Sequence, residues 1–406
     1  MAGQPPAGQP VPPGGALPRE AVDQLGRHLL GIYVHVPFCV TRCGYCDFNT
    51  YTAAELGSGA SRETYASLAI AEVVLARRVL GAAAGPAATV FFGGGTPTLL
   101  PPERLGAILD AIGDEFGLAD GAEVTVEANP ETLDQRVLDG LRARGFTRIS
   151  LGMQSTAPHV LRALDRVHEP GRPQQCAIWA RAAGFEHVSL DLIYGTPGET
   201  AADWERSLNA ALAAGPDHIS AYALIVEEGT RLAARIRRGE LAAPDDDEMA
   251  DRYLAADKLL SQAGLTWYEI SNWASGAAAR CRHNELYWTG ADWWGIGPGA
   301  HSHVGGTRWW NVRHPAAYAQ RITAGQSPAQ AREVLTPAQR AMERIMLATR
   351  LAQGCPVADL DRAGQTAAAA AAAEGLADPV AHEAGRVVLT TRGRLLADAV
   401  IRDLTG

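Results

Sequence analysis

The sequence predicts an α/β chain: an open barrel of parallel β/α units, followed by a small, mostly helical, winged-helix-like C-terminal domain. Two observations carry the barrel. Short β-branched runs alternate with helix-length amphipathic stretches, the pattern of βαβ units around a parallel sheet. Glycines stand where several helices must end, at Gly145, Gly184, Gly215 and Gly264, the residue that takes the left-handed C′ turn without steric cost. A third observation, a shift in composition after residue 270, separates off the C-terminal part. The alternation alone does not exclude a doubly wound open sheet.

Residues 1–27 form a Pro-, Gly- and Ala-rich stretch, nearly uncharged before Pro18, which reads as a disordered tail. The barrel is assigned to 28–270. Ile32–Pro37 is a strand, and Ser61–Leu80 a helix capped by Ser61. Thr89–Phe92 is a strand running into a glycine cluster, and Pro102–Phe116 a helix. Strand Glu123–Glu127 follows, then helix Leu133–Arg144 and strand Arg148–Gly152. Three further helix–strand pairs complete the set: Pro173–Ala183 with Val188–Ile193, Ala202–Ala214 with His218–Ala223, and Asp247–Ala263 with Thr266–Ile270. Roughly six units fall between Ile32 and Ala223.

Residues 271–330 read as a connecting segment rich in Trp and His, carrying six of the nine tryptophans. Residues 331–406 hold an amphipathic helix at Thr336–Leu351, seven consecutive alanines at Ala367–Ala373, a strand at Val387–Leu389 and a closing helix at Leu395–Leu404. A winged helix often binds DNA. The net charge of −9, with no basic stripe on this region, argues against nucleic acid. No apolar run is long enough to span a bilayer, and no secretory signal is visible. Six cysteines, three of them clustered, suit a reducing, cytoplasmic compartment.

That cluster is Cys39, Cys43 and Cys46, with Gly44 inside the loop. Iron–sulfur clusters are held by cysteine thiolates. Three ligands on a four-iron cube leave one iron open to bind and activate a ligand. Zinc wants a fourth Cys or His, for which only His35 is near. Cys176 and Cys355 read as small buried apolar residues.

In parallel α/β folds, ligands sit at the carboxyl ends of the strands, so polar residues there carry weight. Gly93-Gly94-Gly95-Thr96-Pro97 follows a strand directly, either as a tight turn or as a backbone cradle. Glu127 ends a strand ahead of Asn129-Pro130, and Gln154 ends the next. Asp191 lies within an apolar strand, which is costly unless it is paired. Arg166 is its natural partner, or a binder of a ligand carboxylate, unless it is simply a solvated charge.

The triplet CxxxCxxC, with Tyr45 before its last cysteine, resembles the radical S-adenosylmethionine (SAM) superfamily. The flanks Ile32-Tyr33-Val34-His35-Val36-Pro37-Phe38 and Asp47-Phe48 are similar to the branch holding oxygen-independent coproporphyrinogen III oxidases and HemW-type haem chaperones. The resemblance implies a partial (β/α)6 barrel and a [4Fe-4S] cluster on Cys39, Cys43 and Cys46. It implies SAM contacts from Tyr33, the backbone at Tyr45, Gly94, Gly95, Thr96, Glu127, Gln154, Arg166 and Asp191. The oxidases carry another cysteine two positions after the third, where this chain has Phe48. Their N-terminal arm also has no counterpart here. Radical decarboxylation of a porphyrinogen is therefore doubted, and stands as the alternative.

Cys281-Arg282-His283-Asn284-Glu285-Leu286-Tyr287-Trp288 resembles the HNxxYW motif of the haem chaperones. It implies haem binding through His283, with Cys281, His301 and His303 open as other ligands. Without the resemblance, a lone His in a Trp-rich stretch reads as a core residue. The family further implies delivery of haem to acceptor haemoproteins such as respiratory cytochromes, through homodimers that meet membrane-bound partners.

Overall fold

The computed structural model describes residues 8–56 and 60–406. Twelve strands make one continuous sheet. They are β1 (Leu30–Val36), β2 (Ala87–Gly94), β3 (Leu118–Ala128), β4 (Arg148–Gln154), β5 (His187–Tyr194), β6 (His218–Ala223), β7 (Thr266–Glu269), β8 (Asn272–Ala274), β9 (Asp292–Ile296), β10 (His301–Val304), β11 (Thr307–Asn311) and β12 (Ala329–Val334). Their order is β12-β11-β10-β9-β1-β2-β3-β4-β5-β6-β8-β7. From β1 to β6 every neighbour is parallel and sequential, which is the (β/α)6 arrangement expected. β1 and β7 are not neighbours, so the barrel stays open on one side.

Alternation along the strands explains what faces where. In β1, Ile32, Val34 and Val36 are fully buried against the helical layer, while Tyr33 and His35 point to the other face. The same outward packing recurs at Val90 and Phe92, Val124 and Val126, Ile149 and Leu151, and Leu190 and Leu192. The helices start where capping chemistry permits. Ser61, Thr200 and Thr336 each accept a hydrogen bond from the N3 backbone, and the N3 side chain returns it. Gly145, Gly184, Gly215 and Gly264 all adopt positive φ after helices, as their positions predict.

Two expectations need correction. Residues 8–27 are not a loose tail. Gln9 pairs with Arg332 through N–H···O bonds of 2.7 and 2.9 Å, Pro13 O accepts from Ser327 N at 2.7 Å, and Arg19–Val22 is a helical turn. The free edge of β12 offers unpaired backbone groups, and this segment satisfies them. Residues 1–7 lie outside the described residues. Nor is 271–330 a connector. It supplies β8, between β6 and β7 near one margin of the sheet, and β9–β11 towards the other, with β9 parallel to β1; β12 straddles its end.

The C-terminal region has its own core of Ile345, Cys355, Leu360, Ala368, Val387, Val400 and Leu404 around a two-stranded ribbon, Cys355–Pro356 with Arg386–Val387. It meets both margins of the open barrel. Arg394 forks onto Asp257 at 2.9 and 3.0 Å and lies 4.3 Å over the Trp267 ring, while Glu343 accepts from Arg308 at 2.9 Å on the β11 side. The helix Arg282–Thr289 lies between those margins, its backbone tied to Glu123 of β3.

Candidate functional site

The loop after β1 carries the three cysteines, and the backbone fixes its shape. Cys39 N donates to Tyr51 O at 3.0 Å, Cys46 N to Cys43 O at 3.2 Å, and Gly44 N to Leu164 O at 3.2 Å. Gly44 lets the loop lie close to Asp165, whose carboxylate would be 2.6 Å from a Cβ there. The neighbouring loop after β2 locks onto the first. Gly95 N donates to Val36 O at 2.8 Å and Thr96 N to Phe38 O at 2.7 Å, and a Cβ on Gly95 would strike Phe38 O. The glycine run is thus a cradle pressed against the cysteine loop.

Cys39, Cys43 and Cys46 line one cavity of about 450 Å³ at the carboxyl ends of β1–β6. Tyr45, Gly94, Gly95, Thr96, Glu127, Gln154, Arg166 and Asp191 line the same cavity. Every predicted SAM residue except Tyr33 is therefore brought together. Tyr33 stands apart, its hydroxyl 3.0 Å from His35 Nδ1 and its ring stacked on His283. On β1 it belongs to an aromatic group with His283 and Phe91, and Phe91 itself lines the cavity.

The three cysteines are free thiols. Burial pushes the Cys46 thiol up to about 11 and raises Cys39, with the neighbouring cysteines adding to both. Three thiolates so close repel one another, and a polynuclear cationic core removes that repulsion. His35, the only candidate to complete a zinc set, gives Nε2 to Asn49 O at 2.9 Å and Nδ1 to Tyr33. The donor set fits a cluster.

Arg166 is open, by sequence, as a partner of Asp191 or a binder of a ligand carboxylate. It does not pair with Asp191. Nη2 donates to Asn129 Oδ1 at 2.9 Å and to Gly152 O at 3.1 Å, and Nη1 reaches Cys43 Sγ at 3.5 Å. Its charge therefore faces the cysteine loop. Asp191 is satisfied by serines: Ser150 Oγ donates at 2.7 and 2.9 Å and Ser189 Oγ at 3.3 Å. Burial raises its carboxyl nonetheless. Burial, then the nearby Asp191, pushes Glu127 up to about 8, although Gly94 N–H donates to it at 3.0 Å. Glu127, with one backbone donor, and Asp191, held by its serines, thus face the lumen beside an arginine, a set able to accept hydroxyl or amino groups and to bind a carboxylate. Gln154 and Asp165 are the two non-glycine residues with positive φ among those described, at 61° and 55°, and both border this cavity or its loop.

Sequence reasoning missed Asn129, which bridges Thr96 Oγ1 at 2.9 Å and Arg166. It also missed the serine layer. Ser150 pairs with Ser189 and, two residues further along, Asp191 with Ser220 across β4–β6, and that recurrence of small polar residues on successive strands was the available signal. Below this layer the cavity ends on Arg148, Cys281 and Asn284.

His283 does not present a ring nitrogen to a ligand. It is 1% exposed and belongs to the helix at the lower end of the barrel. Nδ1 lies 2.7 Å from Thr89 Oγ1 and Nε2 2.9 Å from Tyr287 OH, and the ring stacks on Phe91 at 5.1 Å. Burial lowers its pKa to about 3. The expected haem ligand is a satisfied core histidine here, because Gly31 leaves room for it beneath β1.

Residues 33–211 match the radical SAM superfamily. A protein of Mycobacterium tuberculosis (strain ATCC 25618 / H37Rv), named heme chaperone HemW, is 54% identical over 93% of this chain and 95% of its own length. The heme chaperone HemW of Synechocystis is 38% identical over 82% of this chain and 81% of its own. Among solved structures, coproporphyrinogen III oxidase (HemN) of Escherichia coli, a radical SAM enzyme, superposes with a TM-score of 0.81 over 95% of this chain and 92% of that one, at 22% identity. That likeness establishes a shared fold across barrel and C-terminal region.

Proposed function

The chain belongs to the radical SAM superfamily and, within it, to the family of HemW haem chaperones, and from that premise we propose that it binds a [4Fe-4S] cluster, SAM and haem, and delivers haem to acceptor haemoproteins. The observation that carries the cluster and SAM is the convergence of three thiols, a glycine cradle, Glu127, Gln154, Arg166 and Asp191 on one cavity. Cys39, Cys43 and Cys46 would hold the cluster, whose open iron supplies a chelation point for the amino and carboxyl groups of SAM. The rest of the chain positions the ligand. Glu127 and Asp191 accept polar hydrogens of the adenosyl moiety, the backbone at Gly94–Thr96 meets its amino end, and Arg166 brings positive charge to the carboxylate.

Porphyrinogen oxidation is the less favoured reading. Phe48 occupies the position of the further cysteine and lies 61% exposed at the cavity mouth, so no fourth thiol is offered there. No described helix is long and apolar enough to cross a membrane, and the proposal places the protein in the cytoplasm, reaching membrane-bound cytochromes as a peripheral partner and a homodimer.

The test is transfer. Haem-loaded protein mixed anaerobically with an apo-haemoprotein, such as an apo-cytochrome b, is expected to lose haem as the acceptor gains it, with no loss of coproporphyrinogen when reductant and SAM are supplied. Porphyrinogen consumption without haem transfer overturns the reading.

A further inference from the structure

We propose, resting on the haem-chaperone reading, that His303 and not His283 is the side chain that ligates haem iron. Ligation needs a neutral imidazole with one nitrogen lone pair free and the other nitrogen's proton held by an acceptor, which sets tautomer and ring orientation. His283 fails the first condition, since a hydroxyl lies on each nitrogen inside a closed aromatic stack, one holding the ring proton and the other taking the lone pair. Exposing it would unpair Thr89, Tyr287 and the imidazole together, in a layer that also seats the helix on β2.

His303 meets both conditions. It lies on β10, half-buried. Its Nδ1 is 3.0 Å from Ala291 O; a carbonyl only accepts, so Nδ1 carries the proton and Nε2 keeps its lone pair. Nε2 makes no hydrogen bond among the described residues. Burial lowers the pKa of the ring, which favours the neutral form.

The surroundings suit a flat apolar macrocycle. His303 pairs across the ladder with Trp293 of β9, and the two rings lie 5.0 Å apart at 34°. Tyr287 packs edge-on against the other side of Trp293 at 4.8 Å. Tyr287 is the tyrosine of the HNxxYW stretch, so this part of the motif borders the site while its histidine supports it from beneath. The cross-strand neighbour Arg308 is already committed to Glu333 and Glu343. Recognition therefore rests on the iron bond and the aromatic face rather than on charge.

Haem titration of the purified full chain, read by the Soret band and by EPR of the ferric form, tests this. His303→Ala is expected to bind haem at least about tenfold more weakly and to lose the histidine axial signature, with free imidazole restoring that signature. His301→Ala, changing an exposed histidine on the same strand, is expected to leave it intact. His283→Gln, which keeps a polar partner for Tyr287, is expected to retain it wherever circular dichroism shows native melting. An unchanged spectrum in His303→Ala, or its loss in folded His283→Gln or in His301→Ala, overturns the assignment and leaves the chaperone reading standing. A wild-type chain that shows no saturable haem band overturns the chaperone reading itself.

Discussion

Cys43→Ala protein, reconstituted anaerobically with iron and sulfide, will hold iron and acid-labile sulfide only at background, and will lack the broad visible absorption of a thiolate-bound cluster. The fold is expected to survive, because Cys43 sits in a loop shaped by backbone bonds from Gly44, Cys46 and Leu232 and contributes nothing to the apolar core. Two thiols cannot hold the cube, so the loss should be all but complete. Arg166, whose Nη1 faces Cys43 Sγ, then loses its anionic neighbour, and SAM binding should fall with the cluster. Iron and sulfide analysis beside circular dichroism checks this. A Cys43→Ala protein that keeps its full cluster would show that these thiols are not the ligands.

Glu72→Ala should give the largest loss of stability of any single change considered. Glu72 is fully buried in the helix Arg62–Leu80 and accepts from Gly297 N at 2.7 Å, Asn311 Nδ2 at 2.8 Å and Tyr318 OH at 2.6 Å. Removing the carboxylate leaves three donors unpaired in a dry core, a cost of about 3–5 kcal/mol. Glu72→Gln keeps one acceptor oxygen and should cost about 1–2 kcal/mol. The turn held by Glu72 also holds the cysteine loop, since Asn49 donates to Pro298 O at 3.0 Å and to Arg313 O at 2.8 Å. Cluster retention should therefore fall in parallel with melting temperature.

Glu72 also sets a pH dependence. Burial outweighs its donors and raises its pKa from 4.5 to about 7. A carboxyl with a raised folded pKa keeps its proton longer than the unfolded chain does. Its contribution is present below about pH 4.5 and is lost as pH rises towards about 7. Glu72→Gln should flatten that slope in denaturant titrations, and a slope unchanged in the variant would remove Glu72 as its source.

The barrel was legible because its signals are local. Capping residues, the glycines at 145, 184, 215 and 264, and the β-branched runs each speak for a single element, and the helix Pro102–Phe116 stands where its pattern placed it. The cysteine loop, the glycine cradle and the strand-end acids were legible for the same reason, as each sits at a fixed offset from its own strand. What failed was non-local. That Gln9 would pair with Arg332, or that β9 would lie beside β1, depends on partners hundreds of residues away. Charge alone left Arg166 open as a partner of Asp191 or a binder of a ligand carboxylate, whereas three-dimensional packing gave Asp191 a serine layer and gave Arg166 to Asn129 and Cys43. At His283 a motif names a residue but not its hydrogen-bond partners, and here both of its nitrogens have one.

The most direct test of the central claim is EPR of the reduced, reconstituted protein with and without SAM. A site-differentiated cluster beside Arg166 and the Gly94–Thr96 cradle predicts a reduced [4Fe-4S] signal whose g-values shift when SAM is added. A cluster signal indifferent to saturating SAM, or none at all from fully reconstituted protein, would contradict it.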